Sequence, residues 1–232
     1  MELEIRPEKV TRFMLGLIAI LAVMHIAQLI IYFQVGDSDK FDFIRMVDFD
    51  YETNLPSLYS SLAILFCASL LWFVRQYHKQ SNSKYRYHWL GLAMIFTFLG
   101  VDEALGLHEE LGDFVEELHW FKAEGFLYFA WVVPYSLLFL IFILSYFKFV
   151  FSLPKPIMFR FITAGMLFIT GAVGFEIISA AEADLHGSET VYYSVLYTIE
   201  ELCEMVAMVI FSNGLLLYIH SEIGLVNIKV KN

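Results

Sequence analysis

The chain has 232 residues, 59% of them hydrophobic and 17% aromatic, with a formal net charge of −10. That composition excludes an ordinary soluble domain, which is far more polar, and no basic stripe points to nucleic acid. The two cysteines, Cys67 and Cys203, both fall in apolar blocks, so no disulfide framework is indicated.

Six apolar blocks follow in order, at about 13–34, 55–76, 87–110, 124–148, 157–182 and 191–219. Each is long enough to cross a hydrocarbon core of roughly 30 Å at about 1.5 Å per residue. None alternates with period two, which argues against a barrel. The expected fold is all-α: a polytopic membrane helix bundle of six transmembrane helices, forming one integral membrane domain over 1–232.

The first block is too long for a signal-peptide core, contains His25 and Gln28, and lacks a following small-residue cleavage site. It reads as a retained span. Asn54-x-Pro56-Ser57 reads as the cap and first turn of span two, and Ser57, Ser60 and Ser61 as helix-packing residues. Span three ends in Asp102-Glu103-x-x-x-x-His108-Glu109. Asp102 and Glu109 share a face there, with Gly106 between them, whereas a continuous helix puts His108 about 240° round from Asp102. Glu124 and Tyr128 open span four at its rim. In span five, Glu176 shares a face with Ser179, Ala180 and Ala183, a packed rather than lipid-facing surface. Glu182 and His186, four apart, have a spacing that can hold a metal on a helix, but they sit at the span's edge. In span six, Glu200, Glu201 and Glu204 lie within about 100° of one another. Cys203 beside them reads as a small buried hydrophobe, with a soft metal ligand as the alternative.

Orientation follows from Lys and Arg. Arg6, Lys9 and Arg12 precede span one. Arg75, Lys79, Lys84 and Arg86 flank the second connection, Lys148, Lys155 and Arg160 the fourth, and Lys229 and Lys231 the C-terminal tail. The first and third connections are acidic, and the fifth has no Lys or Arg. The alternation predicts both termini on the cytoplasmic side, an acidic outer face, and a bacterial cytoplasmic (inner) membrane as the location. A faint repeat pairs Glu103/Glu109 with Glu176/Glu182; a duplicated hairpin or chance would produce it.

This topology places Asp102, Glu103, Glu176, Glu200, Glu201, Glu204 and His25 at similar depth. Each lies about seven to fourteen residues from the outer end of its span, at about 1.5 Å per residue. One charge at mid-membrane costs about 2.5–3.5 kcal/mol even on a mild insertion scale. No Lys or Arg lies inside the spans near enough to pair with these acids. They must therefore be protonated, line a hydrated cavity, or bind cations.

Together with His108 and Glu109, these residues form a candidate metal site. Four to six carboxylates with one or two histidines suit a dinuclear centre of iron, manganese or zinc. The leading expectation is thus a membrane-embedded metal-dependent enzyme acting on a lipophilic substrate, its partners being the lipid bilayer and that small molecule. The alternatives are a cation- or proton-coupled transporter or channel, and a structural subunit that uses the acids as helix-to-helix hydrogen bonds. No His-x-x-His box, mid-helix Lys, Gly-rich phosphate loop or c-type haem motif occurs. Few polar groups in the inner halves of spans three, five and six argue against a conducting path.

Overall fold

A computed structural model describes residues 6–35, 45–108, 111, 114, 125–128 and 132–224. Helices α1 (Pro7–Val35), α2 (Leu55–Gln80), α3 (Arg86–Leu105), α4 (Val132–Val150), α5 (Lys155–Ile169), α6 (Glu176–His186) and α7 (Val191–Tyr218) account for most of them. A 3-10 turn occupies Gly125–Leu127, and π-helical turns occupy Thr170–Phe175 and Ile219–Ile223. The first π turn joins α5 and α6 into one rod. Six helices among the described residues are thus long and apolar enough to cross a membrane. No strand occurs among those residues.

Helix α7 is the centre of the bundle. It packs against α1, α2, α5, α6 and the first π turn. Its buried residues run almost its full length, from Tyr193 to Tyr218. Helix α1 offers it Met14, Ile18, His25 and Gln28, a stripe at helical spacing, and turns Phe13, Ile20 and Val23 outward. Helix α4 lies at the edge, with Leu137, Leu138, Ile141, Leu144 and Phe147 exposed. Apolar faces this extensive are not stable in water, which suggests a membrane protein.

The α2–α3 hairpin is drawn tight by small residues. Ser61 Oγ donates to the Gly100 carbonyl at 2.7 Å, and a Cβ on Gly100 would meet the Leu65 side chain at 2.7 Å. Asn54 caps α2 as its sequence predicts: its side chain accepts from Ser57 N while Ser57 Oγ accepts from Asn54 N, with Pro56 in the first turn.

The half of the bundle holding the 81–85 and 151–154 connections is a packed aromatic core. Trp89 lies 4.9 Å from the rings of both Phe149 and Tyr218. Phe211 lies 4.6 Å from Phe96 and 4.5 Å from Phe161. Such edge-on and stacked pairs add to the apolar burial.

Two boundaries near the acidic residues depart from the apolar blocks. Span three stops at Leu105 rather than 110, because Gly106 takes a left-handed conformation (φ 62) and its N–H closes on the Asp102 carbonyl at 2.8 Å. The helix of span four begins at Val132 rather than 124; Glu124 lies outside the described residues.

Candidate functional site

The opposite half of the bundle, where the 45–54 segment and the start of α7 lie, holds a cavity of about 690 Å3. Its walls come from every part of that end. The α3 C-terminus gives Asp102 and Glu103, followed by His108. Helix α6 gives Glu176, and α7 gives Glu200, Glu201 and Glu204. The 45–54 segment adds Asp50 and Glu52. Eight carboxylates and one histidine therefore line one space, with no Lys or Arg among the lining residues. Ile64, Leu99 and Phe168, which belong to or pack against the hydrophobic core, also line it.

The acids are electrostatic neighbours. Glu200 neighbours Glu176, Glu204 and Glu201. Glu201 feels Glu103, Glu52, Glu176 and Asp50, and Glu204 feels Glu201, Glu103 and Glu176. Asp102 is 5% exposed and Glu200 8%. Asp102 Oδ1 and Glu200 Oε2 have no hydrogen-bond partner among the described residues.

The first π turn sets the closest approach. A Cβ on Gly171 would lie 2.8 Å from the Glu200 carbonyl oxygen and 3.0 Å from Glu204 Cγ. Glycine lets this backbone reach α7 at the level of its acids, and the wide turn then delivers Glu176 to the cavity at the start of α6.

His108 reaches the site because α3 has ended. The left-handed Gly106 turns the chain, so the 240° separation expected of a continuous helix does not hold. His108 Nδ1 lies 3.6 Å from Asp102 Oδ2, and Nε2 lies 3.3 Å from Glu52 Oε1. Burial alone would disfavour the imidazolium. The hydrogen bond to Asp102 and the charges of Glu52, Asp102 and Glu103 outweigh it, raising His108 to about 9. Tyr135 OH donates to the same Asp102 Oδ2 at 3.1 Å.

His25 does not line the cavity. It is fully buried (0% exposed) behind the 45–54 segment, and both ring nitrogens are engaged. Phe49 N donates to Nδ1 at 3.2 Å, and Nε2 lies 2.9 Å from Thr198 Oγ1. Since Nδ1 accepts, Nε2 carries the proton. The ring also stacks on Phe49 at 4.2 Å. Asp48, beside it, accepts from Gln28 Nε2 at 3.0 Å and from Tyr197 OH at 3.2 Å. His25 and Asp48 therefore anchor the segment that carries Asp50 and Glu52, and Tyr193 OH donates to Asp50 Oδ1 at 3.0 Å. His25 matches the acids in depth, but its ring partners here are a backbone N–H and a hydroxyl.

The structure thus brings together Asp102, Glu103, Glu176, Glu200, Glu201, Glu204 and His108. Glu109 lies outside the described residues. Among the described residues, no three His, Cys, Asp or Glu side chains are already grouped to hold a metal ion; in these rotamers the acids line the walls. Asp50 and Glu52 were missed by sequence reasoning, because charges in a connection look like a solvated face. The one available signal was the alternation of Asp48, Asp50 and Glu52 with Phe49 and Tyr51. Glu182 is engaged with His186 and Thr190, both at 3.0 Å, in the α6–α7 connection, away from the cavity wall.

Neither the curated proteins nor the solved structures contain a match to this chain. A family model described as Domain of unknown function (DUF8692) matches residues 14–219, which takes in all six long helices and the whole cavity, and the chain belongs to that family.

Proposed function

We propose that this protein is a membrane-embedded, metal-dependent enzyme whose acidic cavity opens to the outer face and acts on a lipophilic substrate. The observation that carries the reading is charge. Eight carboxylates line one cavity with no Lys or Arg among the lining residues, more negative charge than a low-dielectric site holds without compensation. Divalent cations compensate it most economically, and a carboxylate-rich set with one histidine suits a dinuclear iron, manganese or zinc centre. Glu103, Glu176, Glu201 and Glu204 are the central ligands, with His108 and Asp102 at the rim. Binding requires their side chains to turn inward from the walls, a rotation that glutamate makes readily.

The bound metal would supply Lewis acidity and an activated water or oxygen. The chain's own residues hold and orient it. Asp102 fixes His108, and the His25–Asp48 anchor holds Asp50 and Glu52 in place. The apolar lining of Ile64, Leu99 and Phe168, with the aromatic core packed in the other half of the bundle, favours a site of chemistry over a conduction path. Membrane insertion with both termini cytoplasmic follows from the Lys and Arg alternation.

The reading is tested by loading purified protein with Mn(II) and recording electron paramagnetic resonance. A spin-coupled pair is the expected signal. Only free or singly bound Mn(II) at saturating metal contradicts a dinuclear site.

A further inference from the structure

The cavity is far larger than one or two metal ions need. At about 690 Å3 it lies within the range of small-molecule pockets, roughly 300–1,000 Å3. Six aromatic side chains, Phe49, Tyr51, Tyr128, Tyr135, Tyr193 and Tyr197, share the rest of its wall with serines and small residues. The tyrosine hydroxyls are largely committed, Tyr135 to Asp102, Tyr193 to Asp50 and Tyr197 to Asp48. What these residues have left to offer a ligand is ring surface.

Two acceptors remain. Asp102 Oδ1 and Glu200 Oε2, on side chains more than nine-tenths buried, have no donor among the described residues. A buried carboxylate oxygen without a donor is costly, and both residues face the cavity. A ligand for this wall must therefore donate hydrogen bonds or carry positive charge. An anionic head group finds no Lys or Arg there, and the one lining histidine, His108, already sits against Asp102 and Glu52.

From the aromatic surface, the unpartnered carboxylate oxygens and the absence of lining Lys or Arg, we propose that the substrate is an organic amine, bound as its cation. The ammonium sits against Asp102 and Glu200 and over tyrosine rings, which attract cations through their π faces. The apolar body rests on the lining residues Ile64, Leu99 and Phe168. This rests on the reading of the cavity as a substrate site, but binding of the amine does not require the metal.

The test is calorimetry on chelator-treated protein in nanodiscs of neutral lipid. Three probes share one ring: benzylammonium, benzyl alcohol and benzoate. The cation is expected to bind saturably, one per chain and at least about tenfold more tightly than the alcohol, with no benzoate binding. Asp102→Asn and Glu200→Gln are each expected to weaken the cation about tenfold, while Glu8→Gln, at an exposed position, leaves it unchanged. Alcohol or benzoate binding as tightly as the cation would overturn the proposal on the unaltered protein, whatever the variants' folding. So would a cation affinity indifferent to both substitutions. Metal content, measured separately, decides the fate of the enzyme reading.

Discussion

Gly171→Ala is the substitution whose effect is most directly worked from the structure. The added Cβ would lie 2.8 Å from the Glu200 carbonyl oxygen, 3.0 Å from Glu204 Cγ and 3.2 Å from Cys203 Cβ. The first contact is with backbone, which cannot swing aside. Overpacking of this kind costs about 1–3 kcal/mol. Alanine also gains up to about 1 kcal/mol over glycine in helix propensity, so the substitution needs a matched control. Gly165→Ala serves, since nothing lies within 4 Å of its Cβ position and it takes the same gain without the clash. The predicted difference between the two variants is therefore about 1–3 kcal/mol, with Gly171→Ala the less stable. At about 2–4 °C per kcal/mol for a chain of this size, that is several degrees in thermal unfolding of the purified protein. Metal affinity should fall as well, because the clash drives Glu176 away from α7. Equal melting temperatures for the two variants would refute the close approach on which the site's geometry depends.

Asn54→Ala removes the α2 cap and the amide donation to the Arg45 and Asp48 carbonyls. It should cost about 1 kcal/mol or slightly more and expose the 45–54 segment to limited proteolysis. His25→Asn, which retains a donor and an acceptor, should lower stability yet leave the number of bound metal ions unchanged; a lost ion would make His25 a ligand after all. Because His108 is raised from 6.5 to about 9, it stabilises the fold fully below about pH 6.5, and that stability is lost as pH rises through about 9. Metal-free protein should therefore lose stability across that window, and His108→Gln should flatten the loss when melting is followed against pH.

The six long helices were legible in the sequence because membrane crossing demands unbroken apolar length, and length survives any error in packing. The capping of α2 was equally legible, since Asn54, Pro56 and Ser57 act on their own backbone. The meeting of Asp102, Glu103, Glu176 and the α7 acids followed from depth alone. What escaped was whatever depends on a partner far along the chain. Asp50 and Glu52 belong to the cavity because His25 and Asp48 pin their segment from behind, and no local pattern marks that anchor. His108 was a candidate, but a helical-wheel argument that assumed a continuous helix set it off the face of Asp102. Gly106 instead ends the helix and returns His108 to Asp102. The π turn at Thr170–Phe175 has no sequence rule beyond its two glycines, yet it sets where Glu176 points.

The measurement closest to the central claim is the elemental content of purified protein beside a variant carrying Glu176→Gln, Glu201→Gln and Glu204→Gln. About one or two transition-metal ions per chain, lost in the variant, are what a carboxylate metal centre predicts. Sub-stoichiometric metal in the unaltered protein under every loading condition would contradict it and leave protonated acids in a proton-coupled or structural role.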